Sequence, residues 1–86
     1  MKQIDAQEKL DVAGVDPRSY SMGTLPKDES YVVEQSAGGW AVYYSERGLR
    51  TELREFLDEE AALDAFVTAV LSDPTTRINF GLPKPD

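Results

Sequence analysis

The amino-acid sequence predicts an α+β domain: a three-stranded antiparallel β-meander with a C-terminal helix packed on one face and a short N-terminal helix, in the order αβββα. Three observations predict it. From Tyr31 to Leu57, three runs rich in β-branched, aromatic and leucine residues are separated by two glycine turns, and turns that short join antiparallel neighbours. The stretch from Asp58 to about Leu71 then places apolar residues at helical spacing. Ahead of the strands, residues 4–13 carry a weaker helical pattern that ends at Gly14, a residue suited to the left-handed position past a helix end.

The elements follow in order. Ile4, Leu10 and Ala13 share a face of the first helix, which is short enough to need tertiary support. Asp16 before Pro17 predicts a capped turn or a single helical turn, after which Tyr20 and Met22 pack on the core. Residues 23–30 read as loop by composition. Tyr31–Gln35 is the first strand, Ala37-Gly38-Gly39 the turn, and Trp40–Ser45 the second strand. Trp40, Val42 and Tyr44 form its core face, and Ala41, Tyr43 and Ser45 the other. Glu46-Arg47-Gly48 is the second turn. The third strand, Leu49–Leu57, alternates imperfectly. Leu49, Thr51, Leu53 and Leu57 lie on one face but Phe56 on the other, so either both faces are partly covered or a bulge shifts the register near Arg54-Glu55.

Asp58 is a good N-cap for the last helix, and Glu59 and Glu60 suit its positive end. Leu63, Phe66, Val67 and Val70 should cover one sheet face, contributing about 6–10 kcal/mol before chain entropy. Asp73-Pro74 stops the helix. The alternating trio Ile78, Phe80 and Leu82 can lie on the domain as an extended segment. The layout leaves the second sheet face largely open. Residues 1–86 form a single domain, with 1–3 and 83–86 flexible.

Composition narrows the chemistry. Nine basic against 16 acidic residues give a net charge of −7, which disfavours nucleic acid and anionic membranes and favours a basic protein partner. With neither cysteine nor histidine, thiolate metal sites and Ser–His or Cys–His catalysis are excluded. The mixed-charge N-terminus does not resemble a signal peptide, and no apolar run approaches membrane-spanning length. A cytoplasmic protein without cofactor or metal is the expectation.

Three constellations are candidates for a site. The carboxylates Asp58, Glu59 and Glu60, with Glu52 and Glu55 nearby, are explained by helix capping and a solvated helix start. Gly38-Gly39 feeds a strand rather than a helix, so it is a hairpin turn and not a phosphate cradle. Glu46 and Arg47, beside Tyr43, Tyr44 and Arg50 at a hairpin tip, combine the tyrosine and arginine that dominate binding hot spots. Trp40 reads as core.

The stretch Gly39-Trp40-Ala41-Val42-Tyr43-Tyr44-Ser45-Glu46-Arg47-Gly48, followed by Phe56, Asp58-Glu59-Glu60-Ala61 and Asp73-Pro74-Thr75-Thr76-Arg77, resembles small actinobacterial-type proteins of polymorphic toxin systems. The likeness spans roughly residues 10–77. It implies an immunity protein that binds a toxin domain, supplies no catalytic residues, and carries over only the Ser45–Gly48 turn as a motif. Many such sequences have a bulkier residue at Ala62 or Ala65, which would leave this core thinner. The expected function is that of an immunity or antitoxin protein that occludes the active site of a basic toxin domain. Its partner-binding residues would be Tyr43, Glu46, Arg47, Arg50, Glu59 and Glu60. The alternative is a non-catalytic regulatory domain, a monomer or weak homodimer that associates through a sheet edge. An enzyme working with Tyr, Asp, Glu, Lys or Arg alone is the third reading.

Overall fold

A computed structural model of the chain describes residues 1–23 and 27–78. Helix α1 (Gln3–Val12) is followed by a 3-10 turn (Pro17–Ser19) and four strands: β1 (Tyr20–Met22), β2 (Ser30–Ser36), β3 (Gly39–Glu46) and β4 (Leu49–Phe56). Helix α2 (Glu59–Ser72) and a second 3-10 turn (Pro74–Thr76) complete the order. The architecture is α+β, as predicted, but the sheet has four strands, in the order β1-β2-β3-β4. The additional strand, β1, pairs parallel with β2, setting Tyr20 beside Tyr31 and Met22 beside Val33. Three residues give no alternation to read, and a parallel partner leaves no hairpin signature in sequence.

The local expectations for the ends hold. Asp16 accepts a hydrogen bond from the Arg18 N–H at 2.9 Å, capping the first 3-10 turn. Asp58 caps α2 by accepting from the Ala61 N–H at 2.8 Å. Gly14 closes α1 at φ +77°. Arg47 and Gly48 both have positive φ, the requirement of a type I′ hairpin turn.

The main core lies between the helices and one sheet face. Leu63, Phe66, Val67 and Val70 of α2 meet Tyr20, Val33 and Val42 of the sheet and Ala6 and Leu10 of α1. Ala62 is fully buried there too, so α2 sits close to its neighbours where a larger side chain would hold it off. Trp40 is half-buried against this cluster, and Tyr31, Met22 and Phe56 pack at its margin.

Phe56 reaches that face through a bulge. Thr51 pairs with Tyr44 and Arg54 with Val42, so both Glu52 and Leu53 oppose Tyr43. Glu52 takes the left-handed conformation, φ +56°. The register shift therefore lies two residues ahead of the predicted Arg54-Glu55. Its consequence is that Phe56 pairs with Trp40 on the core side, whereas Leu49, Leu53 and Leu57 are exposed.

The second sheet face is not the open surface expected. Val32, Ala41 and Tyr43 form a buried cluster there, with Ser45 also buried. The Arg50 guanidinium lies over the Tyr43 ring, 5.0 Å from its centroid, and reaches across to Glu34 at 3.6 Å. A long side chain that lays its stem and head along the sheet removes apolar surface from water. Phe80, Leu82 and the tail at 83–86 lie outside the described residues, and Ile78 is exposed.

Candidate functional site

The six residues expected to contact a partner fall into two groups at opposite ends of β4. Eight residues at about 3.3 Å each set those ends roughly 25 Å apart. Tyr43, Glu46, Arg47 and Arg50 cluster at the β3–β4 hairpin, whereas Glu59 and Glu60 open α2.

At the hairpin, Tyr43, Ser45, Arg47, Gly48, Leu49 and Arg50 line a shallow cleft of about 520 Å³ together with Asp28. Asp28 is a member that sequence reasoning missed. Its carboxylate accepts from the Arg47 N–H at 2.6 Å, fixing the hairpin turn from the loop just ahead of β2. Nineteen residues separate the two, so no local pattern joins them. Tyr43 is 2% exposed. Burial raises its phenol pKa, as does the Glu34 carboxylate, while Arg50 opposes the rise. Tyr43 is therefore a support for Arg50 and presents little surface of its own.

Glu46 pairs with Leu49 and lies on the same face as Tyr44. Tyr44 and Tyr31 meet edge-to-face, with ring centroids 4.9 Å apart. They line a small polar cavity of about 220 Å³ with Ser19, Glu29, Asp73, Thr75 and Thr76. The Tyr31 hydroxyl donates to Asp73 at 2.9 Å, and the Thr75 hydroxyl and N–H donate to the same carboxylate. These donors hold the Asp73 pKa below the ordinary carboxylate value, the Thr75 hydroxyl most of all. Burial pushes the Tyr31 phenol up to about 12, with Asp73 and then Glu52 adding to the rise. The Tyr44 pKa is raised by burial first, then by the carboxylates Glu29, Glu46, Asp73 and Asp28. A tyrosine pair ringed by carboxylates is a surface suited to a cationic side chain, since ring faces and carboxylates both attract positive charge. The sequence placed Tyr31 in a strand and Asp73 at a helix stop, and gave no sign that they meet.

The helix-start group is differently employed. Glu59 accepts from the Gln3 side-chain amide at 3.2 Å, and Glu60 lies 3.5 Å from the Met1 amino group. Both tie α1 to α2, and Glu60 remains mostly exposed. Among the described residues, no group of three or more acidic side chains is arranged to hold a metal ion, and no helix is long and apolar enough to cross a membrane. No protein-family model, curated protein or solved structure matches the chain.

Proposed function

We propose that the protein is an immunity-type inhibitor that binds a basic toxin domain in the cytoplasm and blocks its active site by steric occlusion, without catalysis of its own. The observation that carries this reading is the carboxylate-ringed tyrosine pair beside the hairpin tip. Tyr31 and Tyr44 form an aromatic floor, and Glu29, Glu46, Asp28 and Asp73 surround it with negative charge. A lysine or arginine from the partner would enter over Tyr44 and pair with Glu46 and Glu29, while Arg47, exposed at the tip, docks against polar groups beside it and Arg50 stays over Tyr43 on the opposite sheet face. The net charge of −7 steers a cationic partner towards this face. The likeness to polymorphic-toxin proteins supports the same class.

Co-expression with a toxin encoded beside this chain tests the reading. Growth rescue that is lost in the double variant Glu46→Lys/Glu29→Lys, and retained in Glu59→Gln/Glu60→Gln, is the expected pattern. Undiminished toxicity at full expression of the wild-type chain counts against inhibition. Rescue lost only in the Glu59/Glu60 variant moves the contact to the other end of β4.

A further inference from the structure

We propose that the protein self-associates as a two-fold dimer, with β4 pairing antiparallel to β4 of a second copy so that Arg50 of each faces Glu55 of the other. The sheet has two edges, β1 and β4. The β1 edge is three residues long, and the Lys27 amino group donates to its Tyr20 carbonyl at 3.3 Å. Short length and a lysine are the devices that keep a strand edge from pairing. The β4 edge runs for eight residues, and no described residue pairs with its outer side.

The main-chain phase of that edge follows from the two hairpins. Residues that flank a two-residue turn exchange hydrogen bonds, and the direction then alternates along the strand. Counting from the Ser36–Gly39 pair, Gly39, Ala41, Tyr43 and Ser45 address β2, whereas Trp40, Val42, Tyr44 and Glu46 address β4. Counting back from the Glu46–Leu49 pair gives the same phase. The main-chain groups of Leu49, Thr51, Arg54 and Phe56 are therefore engaged with β3, and those of Arg50 and Glu55 point outward.

The bulge makes this edge self-complementary. Residues five apart on a regular strand lie on opposite faces. Here the extra residue at Glu52-Leu53 brings Arg50 and Glu55 to one face, opposite Ser45 and Ala41 respectively. A two-fold antiparallel pair needs facing residues to share a sheet face and to aim their main-chain groups at each other. The register that meets both demands over the whole strand has its axis between Glu52 and Leu53. It sets Arg50 against Glu55, Thr51 against Arg54 and Leu49 against Phe56, each twice. Sliding two residues one way puts Glu52 against Glu55, two like charges. Sliding the other way leaves Glu55 facing the Gly48 turn. Opposite charges across strands favour a register and like charges disfavour it, so the charge pattern of β4 selects the central one. The contact is small, which makes for a weak dimer. With each copy at −7, added salt should tighten it by screening the mutual repulsion.

Sedimentation equilibrium of the purified full chain tests the proposal. The expected result is a shift with concentration from 9.6 kDa towards twice that mass, enhanced by salt. Arg50→Glu alone and Glu55→Arg alone should be monomers, because each sets like charges face to face. Mixed one to one, they should form a heterodimer, because every facing pair is then Glu against Arg. Circular dichroism checks folding, since Arg50→Glu also loses the contacts to Tyr43 and Glu34. Glu55→Pro removes an outward N–H and the carboxylate that faces Arg50, leaves the main-chain pairing with β3 in place, and should be monomeric as well. A wild-type chain that stays at 9.6 kDa up to roughly 1 mM, or a dimer that Glu55→Arg and Glu55→Pro both retain, overturns the proposal.

Discussion

Deleting Glu52 from the middle of β4 should leave the fold intact and its stability unchanged or higher. Residues 49–51 pair with β3 in one register and residues 54–56 in a register shifted by one. Removing one residue at the bulge merges the two. Leu53 then stands alone opposite Tyr43, Arg54 stays opposite Val42, and Phe56 stays opposite Trp40 on the core side. The wild-type chain holds Glu52 at φ +56°, a conformation that costs a residue with a Cβ roughly 1–2 kcal/mol. The deletion removes that cost and regularises the ladder, so the expected change is from zero to about +1–2 kcal/mol. Deleting Glu52 and Leu53 together has the opposite consequence. Phe56 moves opposite Ala41, onto the second face, and loses its place in the core at a cost of about 2 kcal/mol or more. Urea unfolding followed by circular dichroism and by the fluorescence of Trp40, the cross-strand neighbour of Phe56, distinguishes the two. If the single deletion costs more than about 2 kcal/mol, or if both deletions behave alike, the bulge is not what sets the register.

Other perturbations have equally definite signs. Phe66 is fully buried and meets Tyr20 edge-on with ring centroids 6.1 Å apart; Phe66→Ala should cost about 3–5 kcal/mol, and Phe66→Leu much less, both read from the urea midpoint at unchanged slope. A Cβ on Gly39 would run into the Phe56 carbonyl oxygen, which is backbone and has no flexible end to yield, so Gly39→Ala should destabilise by about 1–3 kcal/mol, whereas Ala at position 36 should be tolerated. Arg18 hydrogen-bonds the Asp16 carboxyl and holds its pKa at about 2, below the ordinary 3.8, and Asp73 is also lowered. Groups depressed in the folded state contribute stability above the unfolded pKa and lose it as pH falls through the folded one, so the urea midpoint should drop between pH 3.8 and about 2, less steeply in Asp73→Asn. The Tyr31 phenol moves the other way, from 10.0 to about 12. Its contribution is complete below pH 10.0 and lost as pH rises through about 12, so Tyr31→Phe should flatten the alkaline limb of the stability profile.

The sequence by itself determined the elements whose signals are local. The Asp58 cap, the apolar stripe from Ala62 to Val70, the Arg47-Gly48 turn and the Trp40 face of β3 each depend on residues within a few positions of one another, and short-range geometry leaves them little choice. It also exposed a conflict at Phe56 and offered a bulge as one answer. Only the tertiary structure located that bulge, because its place is decided by which β3 residue each β4 residue meets. The same holds for β1, three residues made into a strand by a parallel neighbour beyond a loop, and for the second sheet face, where Val32, Ala41 and Tyr43 are buried and Arg50 reaches over Tyr43 to Glu34. The candidate site divides in the same way. Residue types at the hairpin tip were legible, since tyrosine and arginine beside a turn stand out in any reading. The meeting of Tyr31 with Tyr44 and Asp73, and of Asp28 with Arg47, was not, because long-range contacts are fixed by packing and registry that no single stretch of chain encodes.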